Sequence, residues 1–279
     1  AGSIDLIGFF PEFCNRRTTE YFDRMYGGLN FEAETCEVVD MTMNAIYLSQ
    51  LGHDYWDDAD RWIRNQFAEN QLRRSDWVYR MHTGGMAFPN RKVPESFVDD
   101  TVETVDRVPE RNLGAFAGWP AANDFYTGQG IGIMHCCTGN GARALYYVWE
   151  HILTYANGQL NVNLILNRPS AWADVRSHIP YQGKVDVAVK QQCSVKIRLP
   201  EWVFPGEAVC HVQGHRRELT WDGRYAVVGT VSAGHVVELE FPIKEHVAGI
   251  AMGLIKEGQR IAIARDACFA FIYPDNLAV

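Results

Sequence analysis

No apolar run in this chain approaches the roughly 20 residues needed to cross a bilayer, which excludes a spanning helix within it. A basic stripe is lacking too. Lys and Arg total 26 against 34 Asp and Glu, for a net charge of -8, and the basic residues gather no further than the doublets Arg16-Arg17, Arg73-Arg74 and Arg216-Arg217. Nucleic-acid affinity comes from clustered Lys and Arg, so a phosphate-tracking surface is excluded as well. The first residues, Ala1-Gly2-Ser3-Ile4-Asp5, lack the basic segment that opens a signal peptide. Internal repeats are absent. Seven cysteines, at positions 14, 36, 136, 137, 193, 210 and 268, lack the regular spacing of a small disulfide scaffold, and a mostly reduced, metal-using chain fits them better.

What is present is a globular composition: 279 residues, 47% hydrophobic and 22% charged, enough for one large core or two modest ones. Apolar spacing and the stop at Gly52 predict a helix from about Thr35 to Leu51. A second is expected over Tyr55 to Leu72, with Asp57-Asp58 suiting its start and Ala59, Trp62, Ile63 and Phe67 on one face. Residues 73–133 are broken by Gly84-Gly85, Pro89, Pro94, Pro109, Pro120 and Gly128, and read as a long functional loop region. Helical patterning resumes from Asn140 to Thr154.

From about Gln159 the period changes to two. Residues 161–166, 184–189, 194–199 and 235–241 alternate, and Asp222-Gly223 supplies a turn signal, which together predict a β-sandwich. The expectation is therefore a multi-domain chain, α then β, with helical residues 1–158 followed by a β-sandwich over 159–279.

Chemistry concentrates in two short stretches, Glu34-Thr35-Cys36 and His135-Cys136-Cys137. Glu34, Cys36, Cys136 and Cys137 could form a tetrahedral zinc shell, since zinc accepts sulfur and oxygen ligands and keeps bound thiols ionised. Ordinary buried cysteines or a vicinal disulfide remain alternatives, because adjacent cysteines are not the usual zinc-finger pair. Placement at two helix starts favours the anion, where the helix dipole lowers a thiol pKa.

Ala33-Glu34-Thr35-Cys36, Tyr55-Trp56-Asp57-Asp58, Asp60-Arg61-Trp62-Ile63-Arg64-Asn65, and Cys136-Cys137 followed by Asn140 and Arg143 resemble the β-L-arabinofuranosidase-type glycoside hydrolases. Ala171-Trp172-Ala173-Asp174-Val175 and Ile197-Arg198-Leu199-Pro200-Glu201-Trp202 extend the resemblance downstream. It implies an (α/α)6 barrel followed by β-sandwich domains, and a zinc held by Glu34, Cys36, Cys136 and Cys137, with Cys136 also the nucleophile of a retaining glycosidase. The implied substrate is a furanoside such as a β-L-arabinofuranoside within a glycan. Glu20 is the favoured acid, Glu12 and Glu95 its competitors. His135 and Asp60 are candidate substrate-binding residues, although Asp60 stands where the family tends to carry Glu; Arg143 is expected to pair with a buried carboxylate. Only three clear helices precede the sandwich, so the chain is expected to be the C-terminal part of a longer enzyme, completed either by the missing N-terminal half or by a second copy. The competing reading is a non-catalytic carbohydrate-binding or structural protein that retains the zinc site.

Overall fold

A computed structural model describes residues 35–68, 70–76, 107–118, 135–250, 253–256, 259–262 and 267–272. Helix α1 spans Thr35–Gln50 and α2 spans Trp56–Trp62, running directly into a π-helical turn at Ile63–Phe67. The four-residue α3, Val108–Arg111, and the long α4, His135–His151, follow, and a 3-10 turn at Pro205–Glu207 lies within the β region. α1 packs against both α2 and α4. Their shared core contains Val38, Val39, Ile46, Trp56, Ala59, Trp62, Phe67, Ala144 and Val148, so most of the apolar positions that predict the helices are buried between them, whereas Leu48 and Leu145, also expected on those faces, are exposed. Phe116, from the segment after α3, stacks on Phe67 inside this core at 4.9 Å.

The β region begins directly after α4. One mixed sheet has the order β1 (Leu153–Ala156), β2 (Gln159–Val162), β5 (Cys193–Arg198), β9 (Tyr225–Val231) and β8 (Thr220–Asp222). Within it, β2 and β5 are parallel. The second sheet has the order β3 (Ala173–Ser177), β4 (Lys184–Val189), β10 (Val236–Glu240), β6 (Val209–Val212) and β7 (His215–Arg217). Inward residues from both sheets, among them Leu160, Val195, Ile197 and Val228 from the first and Val185, Val187, Val237 and Leu239 from the second, form one shared core. The strict alternation of β4, buried at Val185, Val187 and Val189, is that geometry read directly from sequence. Two short pairs follow: β11 (Glu245–Ile250) with β14 (Ala267–Ile272), and β12 (Gly253–Lys256) with β13 (Gln259–Ala262).

Polar contacts fasten the helices to the sheets. Arg198, at the end of β5, donates to Asp54 at 2.9 Å and to Asp57 in the first turn of α2, and the second oxygen of Asp57 accepts the Glu201 backbone N–H at 3.0 Å. Arg61 bridges Glu201 and Asp58, the latter at 2.5 Å. At the C-terminal end of α4, Arg168 donates to the Glu150 and Leu153 carbonyls and Asn163 donates to the His151 carbonyl. The Glu150 and His151 carbonyls are orphan acceptors of the kind every helix end presents, and a cation there also complements the helix dipole.

Candidate metal centre

The two helix starts expected from sequence meet in space. Cys36 is the second residue of α1, while Cys136 and Cys137 lie in the first turn of α4, which starts at His135 rather than near Asn140. Thr35 fixes the α1 end: its hydroxyl donates to the Ala117 carbonyl at 2.6 Å, its N–H donates to the Gly118 carbonyl at 3.1 Å, and Asn70 donates to its oxygen at 2.9 Å. Thr138 fixes the α4 end by donating to the Phe116 carbonyl at 3.2 Å and accepting the Phe116 N–H at 3.3 Å. Residues 115–118 thus form a strap that ties both helix starts together. Gly141 makes room for it, because a Cβ at that position would overlap the Phe116 ring.

Held this way, the sulfurs of Cys36, Cys136 and Cys137 all lie within 4.8 Å of one another. Cys36 and Cys137 are 3.3 Å apart, and Cys136 and Cys137 are 3.7 Å apart. A tetrahedron with metal–sulfur bonds of about 2.3 Å has sulfur–sulfur edges of about 3.8 Å, so the cluster has nearly the dimensions of a thiolate zinc site. Its chemistry agrees with its size. Burial pushes the Cys137 thiol up from its ordinary value, and its contacts with Cys36 and Cys136 push it further. Such a group of sulfurs holds either protons or a cation, and the residues fit a soft divalent metal. The cluster is also asymmetric, with Cys137 fully buried, Cys36 half-buried and Cys136 exposed. Asn140, one turn along α4, donates to the Cys36 sulfur at 3.1 Å.

Other residues singled out in the sequence fall as follows. Glu34, the fourth ligand in the resemblance, lies outside the described residues, as do Glu12, Glu20 and Glu95. His135 is exposed at the first position of α4, beside the cysteine pair. Asp60 is ion-paired with Arg64 at 2.8 Å, and Arg64 also donates to the Ile165 carbonyl at 2.5 Å, so Asp60 sits in the seam between helices and sheet. Arg143 does pair with a carboxylate, Asp40 at 3.1 Å, but an exposed one: the contact links α1 to α4 at the surface rather than in the core. Cys193 and Cys210 are buried in the sheet core, away from the cluster.

No family model matches the chain, and no curated protein does. Solved structures do. A GH127 β-arabinofuranosidase, BT3674, is similar over 78% of this chain and 34% of its own, at 16% identity with a TM-score of 0.51. A GH127 β-L-arabinofuranosidase from Geobacillus stearothermophilus T6 is similar over 78% of this chain and 33% of its own, at 16% identity with a TM-score of 0.45. A third structure, described as a glycoside hydrolase, covers 78% of this chain and 34% of its own, at 17% identity with a TM-score of 0.47. The chain spans about a third of the length of the structures it matches. Helices that converge on a cysteine cluster and lead into two sheets with a shared core thus share the fold of about a third of a GH127 β-arabinofuranosidase.

Proposed function

We propose that this chain is the zinc-thiolate part of a retaining glycoside hydrolase acting on a furanoside such as a β-L-arabinofuranoside. The observation that carries this reading is the three-sulfur cluster at two helix starts, in a fold similar to a GH127 β-arabinofuranosidase. On this reading α1, α2 and α4 are part of an (α/α)6 barrel, residues 1–158 belong to that catalytic domain, and residues 159–279 hold a β-sandwich. Cys36, Cys136 and Cys137, with Glu34, hold the ion.

A retaining glycosidase normally sets a nucleophile and an acid/base about 5 Å apart, both carboxyls. Here Cys136 replaces the nucleophilic carboxylate, as the exposed member of the cluster. Bound zinc supplies the positive charge that keeps thiols ionised at neutral pH. Cys136 Sγ attacks the anomeric carbon, and an acid, Glu20 in preference to Glu12 or Glu95, gives its proton to the departing oxygen. The same residue, now a carboxylate, takes a proton from the water that releases the sugar from sulfur. Cys137, buried and 3.3 Å from Cys36, stays in place throughout. On this reading His135, which is exposed next to the nucleophile, binds the sugar.

The test is hydrolysis of aryl β-L-arabinofuranosides by the Cys136→Ser variant, with zinc content measured in parallel. We expect activity to fall by at least about a thousandfold, as loss of a covalent nucleophile does. Undiminished hydrolysis by a zinc-loaded Cys136→Ser protein would rule the nucleophile out.

A further inference from the structure

We propose that Asn140 is the positioning residue of the sulfur cluster: its carboxamide N–H holds Cys36 as a fixed ligand and so leaves Cys136 as the sulfur free to react. The inference rests on the metal reading above and adds a residue to it. Asn140 stands three positions after Cys137 and four after Cys136, so all three share one face of α4. From there its side chain crosses to the other helix and donates to Cys36 Sγ at 3.1 Å.

The three sulfurs are therefore held differently. Cys36 receives a directional N–H bond from outside the cluster. Cys137 is fully buried and lies 3.8 Å from the Gly118 carbonyl of the strap. Cys136 is exposed, and its contact within the cluster is to Cys137 at 3.7 Å. An N–H donor aimed at a thiolate shares the sulfur's lone pairs with the metal and fixes its direction, as outer hydrogen bonds to metal ligands generally do. Two sulfurs stay and one is released to react because their surroundings differ, not their chemistry. Asn140 supplies the part of that difference belonging to Cys36, across the gap between α1 and α4.

The experiment compares the full chain with Asn140→Ala and with Asn140→Asp, which keeps the shape but turns an oxygen toward the sulfur. Zinc affinity is measured by chelator competition, and sulfur ligation by the charge-transfer band of the cobalt(II)-substituted protein. We expect zinc binding to weaken about 10-fold to 100-fold in Asn140→Ala and at least as much in Asn140→Asp. Iodoacetamide labelling of the zinc-loaded chain should modify Cys136 first, and in Asn140→Ala the preference for Cys136 over Cys36 should shrink about tenfold. If the unsubstituted chain takes up zinc through sulfur and Asn140→Ala equals it in affinity and labelling order, the role given to Asn140 is wrong while the metal centre stands. If the unsubstituted chain binds neither ion through sulfur, the metal reading itself fails and Asn140 goes with it.

Discussion

Glycine 141 stands where α4 passes closest to the strap, and the Phe116 ring occupies the space its Cβ would need. Alanine normally stabilises a helix by about 1 kcal/mol over glycine, but here the overlap acts in the opposite direction. Phe116 is itself buried and stacked on Phe67, so it has nowhere cheap to go. We expect Gly141→Ala to cost about 1–3 kcal/mol in urea unfolding and to loosen zinc binding by displacing the strap. A stability equal to or above that of the parent would mean that the ring moves freely. At this scale the sulfurs were legible in the sequence because their residue type is rare and their placement beside helix starts is meaningful. The strap was not, since it works through backbone carbonyls at Phe116, Ala117 and Gly118 that carry no side-chain signal.

The join between α2 and the end of β5 places four carboxyls, Asp54, Asp57, Asp58 and Glu201, against Arg61 and Arg198. Burial disfavours the Arg198 charge, but the bonds and charges of Asp57 and Asp54 more than compensate and hold its pKa above the ordinary value. Removing that guanidinium leaves Asp57 buried without its counter-ion. Arg198→Met should therefore cost about 3–5 kcal/mol in urea unfolding, and adding Asp57→Asn should return part of the loss.

Burial raises the pKa of both Asp58 and Glu201 above their ordinary values, despite the lowering effect of Arg61. A carboxyl whose folded pKa is raised contributes stability that is fully present below its unfolded pKa and is lost as pH rises through the folded one. The parent should accordingly gain stability over an Asp58→Asn, Glu201→Gln double variant as pH falls from 7 towards 4, measured as urea midpoints across that range. A constant difference would contradict the sign.

The elements themselves were unevenly legible. Alternation revealed β4 and β10 almost to the residue. It failed for β9, where Gly229 takes a φ of +80° opposite a register shift between Val195 and Lys196, so a bulge breaks the period of two. The helix expected over 55–72 instead passes into a π turn at Ile63–Phe67, which a 3.6-residue period cannot signal. Arg198 had a readable clue in hindsight: Val195, Ile197 and Leu199 mark the inward face, which places Arg198 on the opposite face, the one α2 covers.

Across the whole molecule, helices and sheets share a polar seam and also interlocking apolar residues, since Ile152 and Leu164 belong to the helical core although they lie at and beyond the start of the β region. Such an arrangement should melt as one unit. Far-ultraviolet and tryptophan signals are expected to give coincident thermal transitions, and Arg61→Met with Arg198→Met together should separate them. Coincident transitions in that double variant would show that apolar contact alone couples the two regions. One further consequence belongs to this scale. Cys36 and Cys137 are 101 residues apart in the chain and their sulfurs only 3.3 Å apart in space. A disulfide needs an S–S distance of about 2.05 Å, so a small closing movement under an oxidant would lock α1 to α4 and remove two ligands at once. On the proposed metal reading, metal-free protein kept without a reductant is therefore expected to take up less zinc than protein kept in one, and equal uptake under both conditions would show that the two sulfurs do not close.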